Sequence, residues 1–159
     1  MNIAVVGLWH LGTVTAACLA SVGYTVIGFD ENAEIIGGLQ EFRLPIFEPG
    51  LEGLVRQGIA SGTLRFSSNP QSLATAEIVW ITYDTPVDET DRADVEYVIH
   101  RATALFPFVS EGALVLISSQ LPVGSTRRLE DIYRRVRPEG TATFAYSPEN
   151  LRLGKAIAT

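Results

Sequence analysis

Residues 2–12 read NIAVVGLWHLG and run directly into a stretch of small residues, TVTAACLAS, at 13–21. The first half is a strand apolar on both faces over 2–7. The second is a tightly packed helix over 11–22. Gly7 and Gly12 bracket the turn between them. Outward from this unit, TVIGF at 25–29 is a second strand, ending at Asp30. A helix is expected over 32–41, a turn over Pro45 to Gly50, and a helix from Leu51 to Ala60. A strand follows over 63–66, then a short helix from Pro70 to about Ala74 with Asn69 as its N-cap. Strands are expected over 77–83, 113–118 and 141–146. Between them lie helices over 93–106, with Val95, Val98, Ile99, Ala102 and Leu105 on one face, and over 125–136, capped by Ser125. A last helix is expected over 151–158. Doubly buried strands separated by helices require right-handed crossovers in a parallel sheet. The expected fold is α/β: a Rossmann-type doubly wound sheet of about six strands in three α/β/α layers, one domain over 1–159.

Composition excludes several classes. The chain has 159 residues, 12 basic and 18 acidic, for a net charge of −6, and 47% are apolar. That length buries a core without staples. The acidic balance and the lack of a basic cluster argue against nucleic acid as a partner. No apolar run approaches the ~20 residues of a membrane span. The single cysteine, Cys18, excludes an intrachain disulfide framework and a cysteine-rich zinc site, and is expected to be an inert buried thiol. The expected compartment is the cytoplasm.

The turn Gly7-Leu8-Trp9-His10-Leu11-Gly12 stands where a dinucleotide fold places its G-x-G-x-x-G phosphate loop. Gly7 permits the bend, Gly12 permits close helix packing, and the helix N-terminus offers N–H groups to a pyrophosphate. Asp30 would accept from a ribose 2′-hydroxyl and repel a 2′-phosphate, favouring NAD. Trp9 takes the place of the middle glycine, and its indole either folds outward or fills the site. A strand–turn–helix corner that binds nothing is the plainer reading. His10 is either a pyrophosphate partner or a half-exposed residue at a helix start. His100 is structural or solvated, Trp80 is core, and Lys155 is a solvated end. Asp88, Glu89, Asp91 and Asp94 suggest a solvated, helix-capping loop before a metal site. The arginines at 127, 128, 134, 135 and 137 form an exposed basic face.

Further segments add a resemblance: LPIFEPGLEGLV at 44–55, TP at 85–86, AD at 93–94, LPVGST at 121–126 and SPENLRLG at 147–154. Together with the glycine turn, these resemble the N-terminal domain of the UDP-glucose/GDP-mannose dehydrogenase family. The resemblance implies oxidation of the primary alcohol of a nucleotide-activated sugar to a carboxylate with two NAD+. It also implies a linking helix and a sugar-nucleotide domain beyond residue 159, which carry the nucleophilic cysteine, most substrate contacts and a homodimer interface. This chain is then a truncated, NAD-holding part that turns over no sugar alone. Residue by residue, Gly7, Trp9, His10, Leu11, Gly12, Asp30, Thr85, Pro86 and Gln120 fall on cofactor positions. Pro122, Val123 and Gly124 follow in the same loop as Gln120. Glu149 matches a glutamate that supports thioester hydrolysis, with Gln120 in place of a threonine. Trp9, Ile35, Asp84, Ser118, Gln120 and Leu153 depart from the family pattern, all at positions expected to face cofactor or substrate. These changes motivate an alternative: a degenerate module with weak or no NAD binding and an interaction or regulatory role.

Overall fold

A computed structural model describes residues 1–149 and 151–158. Six strands form one parallel sheet: β1 (Asn2–Val6), β2 (Thr25–Phe29), β3 (Leu64–Ser67), β4 (Ile78–Ile81), β5 (Leu114–Ile117) and β6 (Thr143–Tyr146). Their order is β3-β2-β1-β4-β5-β6, so the winding direction reverses between β1 and β4. Val5 pairs with Gly28 on one side and Trp80 on the other, which sets the register at the centre of the sheet.

Alternation along β1 divides the core in two. Ile3 and Val5 face α1 (His10–Ser21), α2 (Ala33–Gln40) and α3 (Leu51–Ser61). Ala4 and Val6 face α4 (Val95–Leu105) and α5 (Ser125–Val136). The second layer closes on an aromatic cluster in which Phe106 meets Tyr133 edge-on at 5.5 Å. The small residues of α1 bring its axis close to the sheet, with Ala16 and Ala17 fully buried.

The Asn69 signal resolves as expected, its Oδ1 accepting from the Gln71 N–H at 3.0 Å. α4 starts at Val95 rather than 93, and Asp94 is its N-cap, with Oδ1 accepting from the Tyr97 N–H at 3.0 Å. Four further expectations need correction. Ser125 does not cap α5: Gly124, at φ 93°, holds the N-cap position, and Ser125 is the first helical residue. Residues 151–158 are not one helix. They form a turn with Gly154 at φ 80°, then a short 3₁₀ helix, Ala156–Ala158. Trp80 is only half-buried, because its Nε1–H reaches the Ser118 hydroxyl at 2.9 Å beside an open pocket. Cys18 is likewise half-buried, and desolvation pushes its thiol pKa up.

His100 and Lys155 are exposed. The acidic loop is organised by Asp88, whose Oδ1 accepts from the N–H groups of Thr90 and Arg92. Among the described residues no group of three or more His, Cys, Asp or Glu is arranged to hold a metal, and no helix is long and apolar enough to cross a membrane. On α5, Arg128 pairs with Glu96 and Arg134 with Glu130, while Arg137 is partly buried and reaches Glu111.

Two glycine substitutions test this packing. A Cβ at Gly12 would lie 1.9 Å from the Gly7 carbonyl oxygen, a backbone atom with no room to yield. Gly12→Ala should therefore cost at least about 2 kcal/mol in urea denaturation. Gly53, exposed within α3 with nothing near its Cβ position, is the control. Gly53→Ala should stabilise by about 1 kcal/mol.

Candidate functional site

The site lies at the carboxyl ends of β1, β2 and β4, where the winding reverses. The chain leaves β1 through Gly7 at φ 93°, and its N–H donates to the Phe29 carbonyl at 3.0 Å. The Thr82 hydroxyl lies 2.9 Å from the carbonyl oxygens of both Val6 and Gly7, beneath the position a Gly12 side chain would fill. α1 starts on top of this contact. Its N-cap is Trp9, which makes no side-chain cap, so the first-turn N–H groups receive nothing from it. The indole is 47% exposed. It lines both a cavity of about 470 Å³ and a smaller one of about 290 Å³, with Asn32 and Ile35 also shared between them.

Gly7, Trp9, Asp30, Asp84 and Pro86 line the larger cavity. Asp30 is buried: Oδ2 accepts from the Leu8 N–H at 2.9 Å and Oδ1 from the Asn32 N–H at 3.0 Å. Each oxygen keeps a lone pair for a further donor. Opposite stands a group that sequence reasoning missed. Arg101 on α4 pairs with Glu31, lies 3.6 Å from Asp30 Oδ1 and stacks over the Tyr83 ring at 4.1 Å. Burial and the Glu31 charge push the Tyr83 hydroxyl pKa far up. Burial would raise the Glu31 pKa, but the Arg101 hydrogen bond and charge, with hydrogen bonds from its own backbone and from Tyr83, together outweigh it and the value falls.

The remaining predicted residues lie elsewhere around the rim. Leu11 and Glu149 line a separate pocket of about 200 Å³ with Thr15, Trp80, Ser118 and Ser147. Glu149 Oε1 accepts from the Leu151 N–H at 2.6 Å. Thr85 ties the β4 and β5 loops together, its hydroxyl donating to the Gln120 carbonyl at 2.8 Å, while the Gln120 side chain is exposed. Asp84 is raised in pKa, chiefly by desolvation and further by Glu149, with His10 opposing. Gly12 lies under the turn, where it lets the helix approach.

His10 turns away from the cavity toward Glu48, with Nε2 at 3.0 Å from Oε2. Glu48 is the second residue missed. Its side chain is 1% exposed, and it also accepts from the N–H groups of Gly154 at 2.7 Å and Ala156 at 2.9 Å. It sits within the quoted segment at 44–55, but no local spacing reveals partners more than 100 residues away.

The UDP-glucose/GDP-mannose dehydrogenase family, NAD binding domain, matches residues 1–159. The chain belongs to this family. UDP-glucose 6-dehydrogenase of Pseudomonas aeruginosa is 34% identical over 162 aligned positions, covering 99% of this chain and 36% of that protein. UDP-N-acetyl-D-mannosamine dehydrogenase of Escherichia coli K12 is 32% identical over 98% of this chain and 39% of that protein. A UDP-D-ManNAc dehydrogenase from Pyrococcus horikoshii superposes with a TM-score of 0.92 at 27% identity, over 99% of this chain and 38% of that one. A ternary complex of GDP-mannose dehydrogenase from Pseudomonas aeruginosa gives 0.92 at 25%, with the same coverage. The chain thus spans a little over a third of the relatives it matches. NAD is the cofactor of this family domain, and the uncapped start of α1 above the Gly7–Gly12 contact fits a pyrophosphate.

The Glu48 clamp makes the NAD-binding domain acid-sensitive at one place. Burial would raise the Glu48 pKa, but the His10 hydrogen bond and the Gly154 and Ala156 N–H groups outweigh it, so the folded value lies below the ordinary 4.5. A depressed carboxylate contributes stability above its unfolded pKa and loses it as pH falls through the folded value. Amide exchange at Gly154 and Ala156 should therefore stay protected above about pH 4.5 and open progressively below it. Glu48→Gln should remove that dependence.

Proposed function

We propose that this domain holds the coenzyme of a nucleotide-sugar 6-dehydrogenase, of the kind that oxidises the C6 alcohol of UDP-glucose to UDP-glucuronate with two NAD+. The supporting observation is the bare first turn of α1, seated on the Gly7–Gly12 contact and opening into the cavity that holds Asp30. NAD, when bound, supplies the hydride acceptor. In this reading the N–H groups of His10, Leu11 and Gly12 receive the pyrophosphate, and Gly7 allows its approach. Asp30 accepts from the ribose through its remaining lone pairs, and Trp9 walls the entrance. Thr85 and Pro86, with the backbone of Gln120, form the shelf beyond the diphosphate. In the same reading Glu149 is the carboxylate that would move a proton to or from water.

The sugar nucleotide, the nucleophilic cysteine and the homodimer contacts belong in this reading to chain beyond these 159 residues, and the enzyme is cytoplasmic. Trp9 and Asp84 motivated the alternative of a non-binding module. The family match across residues 1–159 weighs against it.

Calorimetry with NAD+ tests the proposal. Binding should saturate with a Kd at or below about 1 mM, some 4 kcal/mol, and Trp9→Gly should keep it. The 159 residues alone should form no NADH from UDP-glucose. No heat from either protein at millimolar NAD+ overturns the assignment.

A further inference from the structure

Two opposed recognition elements meet at the carboxyl end of β2. An acidic residue there accepts from the 2′-hydroxyl of NAD, while a nearby arginine accommodates the 2′-phosphate of NADP. Here both are present. Asp30 and Glu31 supply two carboxylates, and Arg101 reaches in from α4 with its side chain 20% exposed on the cavity wall.

The guanidinium is already committed. Its Nε donates to Glu31, one terminal nitrogen donates to the Tyr97 hydroxyl, and the other lies 3.6 Å from Asp30 Oδ1. The Tyr83 and Tyr97 rings hold its plane, at 4.1 and 5.0 Å from their centroids. The Tyr83 hydroxyl donates to the other oxygen of Glu31 at 3.2 Å, fixing that carboxylate from the second side. The cluster thus carries two negative charges against one positive. A hydroxyl finds acceptors in it, and a dianionic phosphate meets net repulsion. The fork that would chelate a phosphate is occupied.

We infer that the Glu31–Arg101 pair is the determinant that selects NAD over NADP: Arg101 is a masked 2′-phosphate site, and Glu31 is the mask. This rests on the reading above that the cavity holds the adenosine ribose. Asp30 is the less suitable residue to probe, because its carboxylate also fixes the Leu8 and Asn32 N–H groups. Glu31 is half-exposed, so its replacement frees Arg101 without opening the core.

Affinities for NAD+ and NADP+ are measured by calorimetry on the wild-type chain, Glu31→Gln, Arg101→Gln and the double variant. The wild type should prefer NAD+. Glu31→Gln should narrow the NAD+/NADP+ affinity ratio by at least tenfold, mainly through tighter NADP+ binding. The double variant should lose that gain, which identifies Arg101 as its source. A ratio that narrows less than tenfold in Glu31→Gln overturns the inference. So does a gain that survives in the double variant, or a wild type that prefers NADP+. A wild type that binds NAD+ but fails these tests leaves the cofactor assignment standing. One that binds neither coenzyme removes the assignment and this inference together.

Discussion

The first turn of α1 rests on the carbonyl of Gly7, and this contact exists only because position 12 has no side chain. Much of the site's geometry follows from it. Thr82 reaches from the adjacent strand to both the Val6 and Gly7 carbonyls, so the turn is tied to β4 as well as β1. The winding reverses between the same two strands. The helix end, with its unpaired N–H groups and partial positive charge, is thereby aimed across the crevice that the reversal opens. A side chain at position 12 would lift the helix and turn that field away from the crevice.

Glu48 imposes the second constraint. A buried carboxylate without partners is costly, and this one gathers three: His10 at the head of α1 and the amides of Gly154 and Ala156. The loop before α3, the turn after β1 and the segment after β6 therefore meet at one charge. The same geometry explains why residues 151–158 do not continue as a helix. Amides drawn toward Glu48, with Gly154 in the left-handed region, cannot join an i→i−4 ladder. The amphipathic pattern of Leu151 to Ala158 carries no trace of this, because the deciding partner lies at position 48.

That contrast marks what the sequence discloses. Strands, helices and the Asn69 cap were legible because their signals are local: doubly apolar runs, one-face periodicity, and a side-chain acceptor two residues before its donor. The glycine turn and Asp30 were legible because their spacing follows from strand and helix geometry. Ser125 misled because Gly124, free to take φ 93°, holds the N-cap position one residue earlier. Glu31, Tyr83 and Arg101 were silent for a different reason. They are separated by 52 and 70 positions along the chain, and each alone resembles an ordinary surface or strand residue. Only the crossing of α4 over the end of β2 makes them one group.

Trp9 shows how far a departure at a glycine position reaches. The residue has φ −91° and ψ −147°, so its φ lies outside the left-handed region that favours glycine. What glycine would add is free space in front of the helix N-terminus. The indole there is 47% exposed and lines both cavities. Ile35 and Asp84 likewise sit in the cavity lining and make no part of the Gly7–Gly12–Thr82 contact. Trp9, Ile35 and Asp84 shape the walls of the crevice, while the backbone cradle beneath keeps the geometry that close helix–strand packing requires.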